Sequence, residues 1–387
     1  MSRRRWMFVL TLIALAALPA AARADSVVSL GDSAISGEAG RWAGNTNGAT
    51  SRTDALGPTA YYDAGTREAI PGCHRSKSAE VHIGGGVDSY NLACSGARTS
   101  THTGSDGAFK PGLDFYSSGA NKGQALALQD LATARKDIKA VVVLIGANDY
   151  GFADIVQTCV TDWLTSPSWW KNYCQDDSNI TAMFTASNIT RITNNVTAAF
   201  DRVRQAMSNA GYAVGSYKFL AQTYSAPLPV STNFRYGQTG FTRQTVGGCG
   251  VWNKDADWAR NTVVNTLNNT VRNAVKGMPD VQVLNMDEAL AGRKLCENSV
   301  GLLEERGIAS WTSPGAVDNS EWVQQIRTVT TIFPPYQLQE DAHPNYWGQL
   351  ALRNCFRQAV VAGRGGTCSR GTGLNTNREP NMTLATS

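Results

Sequence analysis

Short apolar runs alternate along the chain with longer stretches that have helical periodicity. Apolar runs of this length, bounded by polar residues or glycine, are typical of buried strands. They predict five strands, at Val27–Leu30, Tyr90–Ala93, Ala140–Ile145, Lys218–Ala221 and Val281–Leu284. The longer stretches predict four helices, at Gly123–Arg135, Thr190–Asn209, Trp258–Val275 and Tyr346–Ala362.

Continuous apolar strands that alternate with helices are typical of a mostly parallel sheet with helices on both faces. In such a sheet the active site gathers at the carboxyl ends of the strands. The residues that directly follow the first three predicted strands are therefore the first candidates for chemistry. They include Ser33, Gly96 and Asn148.

The N-terminal residues have the pattern of an export signal. Arg3–Arg5 form a positive segment, Trp6–Ala22 form an apolar stretch, and Ala22-Arg23-Ala24 supplies the small residues that a signal peptidase accepts. An uncleaved anchor helix is the alternative, but the apolar stretch is short for a membrane span and ends in small residues. We therefore expect cleavage between Ala24 and Asp25 and a secreted protein, extracellular or periplasmic, without a membrane span.

The formal net charge of +4 comes from this leader. Its four arginines are part of the 35 basic residues, so the remainder holds 31 basic against 31 acidic residues. A neutral chain lacks the excess positive charge that nucleic acid or an anionic membrane surface would require. Nucleic acid is therefore not an expected partner. The hydrophobic content of 42% is enough for a folded core and excludes a disordered protein.

The cysteines fit an oxidising compartment, where an even number is most simply interpreted as a set of disulfides. Sequence alone leaves many pairings open. Our preferred pattern joins neighbours along the chain, as Cys73–Cys94, Cys159–Cys174, Cys249–Cys296 and Cys355–Cys368. A metal site is the weaker alternative, because no Cys-x-x-Cys occurs and the histidines lack the close spacing of a zinc site.

The strand ends and one late histidine carry the groups that acyl transfer needs. Ser33, in the segment GDSAISGE, lies at a strand-to-helix turn where its hydroxyl is exposed and its amide can donate to an oxyanion. Gly96 offers a bare backbone amide, and Asn148 offers a side-chain amide. His343 directly precedes a predicted helix. A helix cap for Ser33 and a structural role for His343 are the alternatives, but together these groups supply a nucleophile, oxyanion donors and a base.

These four segments, in this order, resemble the characteristic blocks of the SGNH hydrolases, also called GDSL lipases and esterases. The resemblance covers Val27 to Cys368, and GDSAISGE is similar to the secreted bacterial branch. It implies an α/β fold, a three-layer sandwich with a mostly parallel, flavodoxin-like sheet of five strands, long inserts and no cofactor or metal. No Gly-x-Ser-x-Gly occurs, which argues against the α/β-hydrolase nucleophile elbow.

The same resemblance implies the roles of the site residues. Ser33 is the nucleophile and His343 the general base. The amides of Ser33 and Gly96 and the side chain of Asn148 form the oxyanion hole. The family usually has an aspartate three residues before the histidine, where this chain has Glu340. Glu340 is therefore predicted to orient the imidazole, with Asp341 or a main-chain carbonyl as the alternatives.

Two regions outside the four blocks need an interpretation. We expect the hydrolase domain to span 25–368, after a signal peptide at 1–24, and residues 369–387 to form a disordered tail, because they are polar and contain few large apolar groups.

His74 is interpreted as structural. The aromatic residues after Asn148 either pack within an insert or line a rim for an acyl chain or a sugar; they are Tyr150, Phe152, Trp163, Trp169 and Trp170.

Three hypotheses about function follow. The leading one is a secreted, monomeric serine esterase or lipase (EC 3.1.1 class) that cleaves small-molecule, lipid or acylated-sugar esters without a cofactor. The second is a carbohydrate esterase that removes acetyl groups from a polysaccharide, which exposed and coplanar tryptophans would favour. The third is a non-catalytic secreted binding protein, and the intact set of four site residues argues against it.

Overall fold

The computed structural model describes residues 24–328 and 333–386. The predicted signal peptide, apart from Ala24, lies outside the described residues. In chain order the strands are β1 (Ser26–Gly31), β2 (Asp88–Asn91), β3 (His102–Thr103), β4 (Phe109–Lys110), β5 (Ser117–Ser118), β6 (Asn121–Lys122), β7 (Ile138–Leu144), β8 (Lys218–Gln222), β9 (Val281–Asn285), β10 (Gly366–Leu374) and β11 (Pro380–Thr386).

Each α-helix of the described residues lies between two of these strands along the chain. They are α1 (Ser33–Ser36), α2 (Gln124–Ala134), α3 (Phe152–Thr165), α4 (Ser178–Met183), α5 (Ala186–Asn209), α6 (Thr242–Thr245), α7 (Asn253–Trp258), α8 (Val264–Ala274), α9 (Ala316–Asn319) and α10 (Tyr346–Ala362). A π-helical turn at Ala259–Val263 joins α7 to α8. The four predicted helices are confirmed, although two of them begin earlier than expected.

The central sheet has the strand order β11-β10-β9-β8-β7-β1-β2. The five predicted strands are its parallel part, from β2 through β1, β7 and β8 to β9. In this order the chain reverses direction across the sheet between β1 and β7, which is the switch point where doubly wound folds bind ligands. The fold class is the expected α/β sandwich, but the sheet has seven strands rather than five.

The two additional strands are formed by the C-terminal residues, so the prediction of a disordered tail at 369–387 is wrong for 369–386. β10 pairs with the edge of β9, and β11 pairs antiparallel with β10. The side chain of Asn354 donates to the carbonyl of Pro380 at 2.8 Å, and the buried Glu379 forms an ion pair with Arg357 on α10. These backbone and side-chain bonds stabilise a hairpin at the sheet edge, where polar residues are tolerated because half of the side chains face solvent.

Helices cover both faces of the sheet. α2, α5 and α8 pack side by side. α10 lies against α1, where the side chain of Gln349 donates to the carbonyl of Ala34 at 2.9 Å. The central strand β7 is accordingly buried along Ala140–Leu144, as expected for a strand with helices on both sides.

The cysteine pairing is confirmed in full. The disulfides are Cys73–Cys94, Cys159–Cys174, Cys249–Cys296 and Cys355–Cys368. The last one joins α10 to β10 and so anchors the C-terminal hairpin. Within the described ranges, no helix is both long and apolar enough to cross a bilayer.

Candidate active site

Ser33 and His343 meet at the carboxyl edge of the sheet. β1 ends at Gly31, and Ser33 is the first residue of α1. His343 lies three residues before α10, and its Nε2 is 2.6 Å from Oγ of Ser33. At this distance the serine hydroxyl donates a hydrogen bond to a neutral imidazole, which is the geometry a general base requires.

A sharp turn at Gly31 exposes the serine. Gly31 has a φ of 135°, and a Cβ at this position would lie 1.8 Å from the carbonyl oxygen of Leu144 on the neighbouring strand. Only glycine fits there. Asp32 then caps α1, because its carboxylate accepts a hydrogen bond from the amide of Ala34 at 3.2 Å.

The imidazole of His343 is oriented by a main-chain carbonyl. Its Nδ1 donates to the carbonyl oxygen of Asp341 at 2.9 Å. Ala342, between the two, has a φ of 59°, a left-handed conformation that is uncommon for residues other than glycine. The amide of Ala342 donates to the carbonyl of Gln324 at 3.2 Å, and the amide of Gln324 donates to the carbonyl of His343 at 2.9 Å. This pairing holds the loop that presents the base.

Glu340, the residue expected to orient His343, binds elsewhere. Its buried carboxylate accepts hydrogen bonds from the indole of Trp42 at 2.8 Å and the hydroxyl of Tyr61 at 2.7 Å. The carboxylate of Asp341, one of the two alternatives, accepts a hydrogen bond from the amide of Arg327 at 3.0 Å. Burial raises the pKa of Glu340 to about 6 and that of Asp341 to about 8. Of the three alternatives for orienting the imidazole, the structure has the carbonyl.

The expected oxyanion donors lie at the ends of the neighbouring strands. Asn148 belongs to the 3-10 turn Ala147–Tyr150 after β7, and its Nδ2 donates to the carbonyl of Ala97 at 2.9 Å. Ala97 follows Gly96, which has a φ of 78° in the turn after β2. Ser33, Gly96, Asn148 and His343 are all half-buried, so each is open to a bound substrate.

Tyr224 joins the nucleophile turn to the Asn148 turn. Its hydroxyl donates to the carboxylate of Asp32 and accepts from the amide of Ala147 at 3.0 Å. Burial raises the pKa of Asp32 to about 7. Tyr224 was not predicted as a site residue, although it follows the carboxyl end of the fourth predicted strand, where the same rule about strand ends applies.

The protonation state of His343 suits a base. Burial lowers its pKa below the usual 6.5, and the nearby Glu38 opposes part of that decrease. The imidazole is therefore neutral at pH 7, with Nε2 free to accept a proton. Within the described part of the chain, no cluster of histidine, cysteine and acidic side chains is arranged to hold a metal ion.

An apolar recess lies beside the base. Ala342, the residue before His343, is part of its wall, together with Ile326. α3 contributes Phe152 and Ile155, and Leu228 is also part of the lining. The surface is almost entirely carbon, although Asp255 and Arg260 also border it. The recess is therefore chemically suited to a hydrocarbon chain rather than to a sugar.

Of the five aromatic residues after Asn148, Phe152 lines the apolar recess and the other four divide into two groups. Tyr150 and Trp163 are 1% and 4% exposed and pack within the insert. Trp169 and Trp170 are 82% and 73% exposed, but their ring planes meet at 82°. These two rings do not form one flat platform for a sugar.

The scan against protein-family models gave no match, and neither did the search of curated proteins. The chain is similar to solved structures at low identity. An extracellular lipase from Streptomyces rimosus is 18% identical with a TM-score of 0.46, covering 88% of this chain and 99% of that one. A phospholipase A1 from Streptomyces albidoflavus is 16% identical with a TM-score of 0.45, covering 88% and 100%. A carbohydrate acetylesterase from Sinorhizobium meliloti is 11% identical with a TM-score of 0.35, covering 87% and 99%.

The structure brings together the segments that the sequence analysis singled out. Ser33 contacts His343, and the turn of Asn148 contacts the turn of Gly96, at the switch point of a doubly wound sheet. The four blocks thus meet at one edge of the sheet.

Proposed function

We propose that the protein is a secreted serine hydrolase of carboxylic esters. The single observation that carries the proposal is the 2.6 Å hydrogen bond between Oγ of Ser33 and Nε2 of His343. A serine paired with a neutral imidazole is the pair that nucleophilic acyl transfer requires. A binding protein without catalysis would have no use for this pair beside the oxyanion donors.

The reaction follows from the geometry. His343 takes the proton of Ser33 as Oγ attacks the ester carbonyl, and the negative charge moves to the carbonyl oxygen. The amides of Ser33 and Gly96 and the side chain of Asn148 stabilise that oxyanion. The imidazolium of His343 then gives its proton to the leaving alcohol, and an acyl-enzyme remains. Water, deprotonated by His343, attacks the acyl-enzyme and releases the carboxylic acid.

Within this class, the apolar recess favours esters with an acyl chain longer than acetyl. Its wall includes Ala342, which directly precedes His343, and we infer that the acyl chain of an ester held at Ser33 enters it. Burial of each methylene contributes roughly 0.8 kcal/mol. The acetyl-polysaccharide alternative has less support, because Trp169 and Trp170 are exposed but nearly perpendicular.

Export is supported by two independent features. The leader pattern of residues 1–24 predicts cleavage before Asp25. The four disulfides are expected only in an oxidising compartment. We therefore place the proposed esterase outside the cytoplasm, as a monomer that needs no cofactor.

Hydrolysis of p-nitrophenyl esters from acetate to palmitate by the purified, oxidised protein tests the proposal. Wild type should hydrolyse these esters with an optimum above acetate, and Ser33→Ala should lose turnover while keeping the same melting temperature. Activity that survives in Ser33→Ala would refute the assigned nucleophile. Folded wild type that is inactive on every ester would refute the function.

A further inference from the structure

A buried ion pair lies one turn after the nucleophile. Nδ1 of His74 is 2.8 Å from Oε1 and 2.9 Å from Oε2 of Glu38. The two side chains are 8% and 0% exposed, respectively. Oε1 of Glu68 lies 3.7 Å from Nε2 of His74 on the other side of the ring. Two carboxylates thus surround one imidazole, and the cluster carries net negative charge.

Both members of the pair are charged at neutral pH. Burial alone would lower the pKa of His74, but Glu38, together with Glu68 and Glu340, more than offsets this effect and the pKa rises to about 9. Burial alone would raise the pKa of Glu38, but His74, together with His343 and Ser95, outweighs burial and the pKa is lowered. An ion pair this deep is seldom net stabilising, since both charges lose their hydration. Stability therefore does not explain why the pair is there.

The pair contacts the segment that carries the nucleophile. The amide of Glu38 donates to the carbonyl of Ser33 at 3.1 Å. The hydroxyl of Ser36 donates to the same carbonyl at 3.0 Å and lies 3.4 Å from the carbonyl of His74. The backbone of Ser33 is therefore held by Glu38 and Ser36, and Ser36 also lies next to the His74 loop.

The pair is also joined to the segment that carries the base. The ring of Tyr61 lies 4.8 Å from the ring of His74, and its hydroxyl donates to the carboxylate of Glu340 at 2.7 Å. The carbonyl of Glu340 accepts from the amide of His343 at 3.3 Å. The cluster of Glu38 and His74 is therefore connected to the segments that carry both catalytic residues.

The reaction creates a positive charge on His343, which negative charge near its imidazole would stabilise. When His343 takes the serine proton it becomes an imidazolium, which a triad normally stabilises with a carboxylate on Nδ1. Here Nδ1 contacts only the neutral carbonyl of Asp341. Glu38 and His74 are the charged groups with the largest effects on the pKa of His343, and Glu38, which raises it, acts more strongly than His74, which lowers it.

The remaining titratable groups around the base do not supply that charge as well. The carboxyl of Asp341, with a pKa of about 8, is mostly neutral at pH 7. The carboxylate of Glu340 is directed to Trp42 and Tyr61. Arg327 follows Gln324 on the segment beside the base and carries positive charge.

We propose that Glu38, held in its charged state by His74, is a positioning residue that compensates the imidazolium of His343 through space. It takes over the electrostatic role of the missing triad carboxylate, and the carbonyl of Asp341 keeps only the orienting role. The inference rests on the proposed esterase function.

Glu38→Gln tests the proposal, because it removes the charge and keeps the shape. Relative to wild type, kcat on a p-nitrophenyl ester should fall about tenfold to hundredfold while KM stays within about twofold. Loss of Glu38 also lowers the pKa of His343, so the acid limb of kcat/KM should move to lower pH. Glu38→Asp should recover part of kcat.

Two further variants separate this role from a structural one. Glu379→Gln removes a buried ion-pair carboxylate on the C-terminal hairpin and should leave kcat and the pH profile unchanged. Glu68 lies at the edge of the cluster, and Glu68→Gln should shift the acid limb in the same direction as Glu38→Gln but by less. It provides the test if Glu38→Gln does not fold.

The outcomes are distinct from those for the proposed function. Active wild type and inactive Ser33→Ala support the esterase, whatever the Glu38 result. With that established, an acid limb that stays in place in Glu38→Gln and Glu68→Gln would overturn the electrostatic role. If Glu38→Gln loses activity together with a lower melting temperature, and the acid limb of its kcat/KM profile does not move, the ion pair has a role in folding instead.

Discussion

Nδ1 of His343 donates to the carbonyl oxygen of Asp341, two residues earlier in the same loop, at 2.9 Å. The base is thus oriented by its own backbone. The contact depends on the left-handed conformation of Ala342, which turns the peptide carbonyl toward the ring. A side-chain carboxylate is not needed to fix the tautomer, and the consequences can be measured one residue at a time.

Glu340→Gln is expected to be much milder than His343→Ala. The glutamate carboxylate accepts from Trp42 and Tyr61, so its loss should cost about 1–3 kcal/mol of unfolding free energy and less than about tenfold in kcat. His343→Ala should cost at least about 10³ in kcat. Steady-state kinetics and denaturant unfolding of both variants measure the difference. Equal loss of kcat in the two variants would contradict the carbonyl as the orienting group.

Asn148→Ala should lower kcat by about 10²–10³ with little change in KM, because an oxyanion donor acts mainly in the transition state. Its side chain also donates to the carbonyl of Ala97, so the melting temperature must be measured in parallel. Asn148→Asp, of the same size but without the donor, should be no more active than Asn148→Ala. A variant with a raised KM and normal kcat would place Asn148 in ground-state binding.

The protein should be more stable at pH 5 than at pH 8.5. Burial raises the pKa of Asp32 to about 7, of Glu80 to about 8 and of Asp341 to about 8, from 3.8, 4.5 and 3.8. Each folded carboxyl therefore holds its proton more tightly than the unfolded one. The stability that this contributes is complete below the unfolded pKa and is lost as the pH rises through the folded pKa.

Melting temperatures across this range measure the effect. Glu80→Gln removes one of the three titrations, at a site where the carboxylate accepts a hydrogen bond from Gln222. It should therefore reduce the decrease in melting temperature between pH 5 and pH 8.5. Melting temperatures that rise with pH from 5 to 8.5 would show that these carboxyls are ionised in the folded protein.

Leu228→Trp should select against long acyl chains. Leu228 is 9% exposed in the wall of the recess, and an indole there fills space that a long chain would use. We expect kcat/KM for the octanoate or palmitate ester to fall at least about tenfold more than for acetate. Leu164→Trp, on the exposed side of α3, is the matched control and should keep the wild-type chain-length profile. A uniform loss on all esters in Leu228→Trp would mean that the acyl chain binds elsewhere.

The sequence predicted the parts of the fold that rest on apolar patterning. The run Ala140–Ile145 predicts a strand because a centre strand is buried on both faces, and the strand is observed as Ile138–Leu144. The C-terminal hairpin escaped prediction for the opposite reason. Strands at a sheet edge, such as Pro380–Thr386, need no continuous apolar face, so their polar residues resemble those of a tail.

The candidate site could be predicted from the sequence only where a motif marks a residue. The nucleophile and the base follow from their motifs, because those motifs bring the groups to strand ends. The orienting role of the Asp341 carbonyl does not follow from a motif, because every residue has a carbonyl. An alanine at position 342 also gives no sign of a positive φ. The pairing of Glu38 with His74 joins residues that are 36 positions apart, and no local pattern specifies such a contact.

The nucleophile and the base are separated by 310 positions along the chain and touch only in the finished fold. Neither end of the polypeptide holds a working half of the site. A nascent chain, or a fragment cut anywhere between the two residues and released, therefore lacks hydrolytic capacity. If the protein has the proposed function, hydrolysis therefore depends on a chain that is folded from Ser33 through His343. A cell that exported the chain unfolded would keep its own esters from hydrolysis until folding is complete outside.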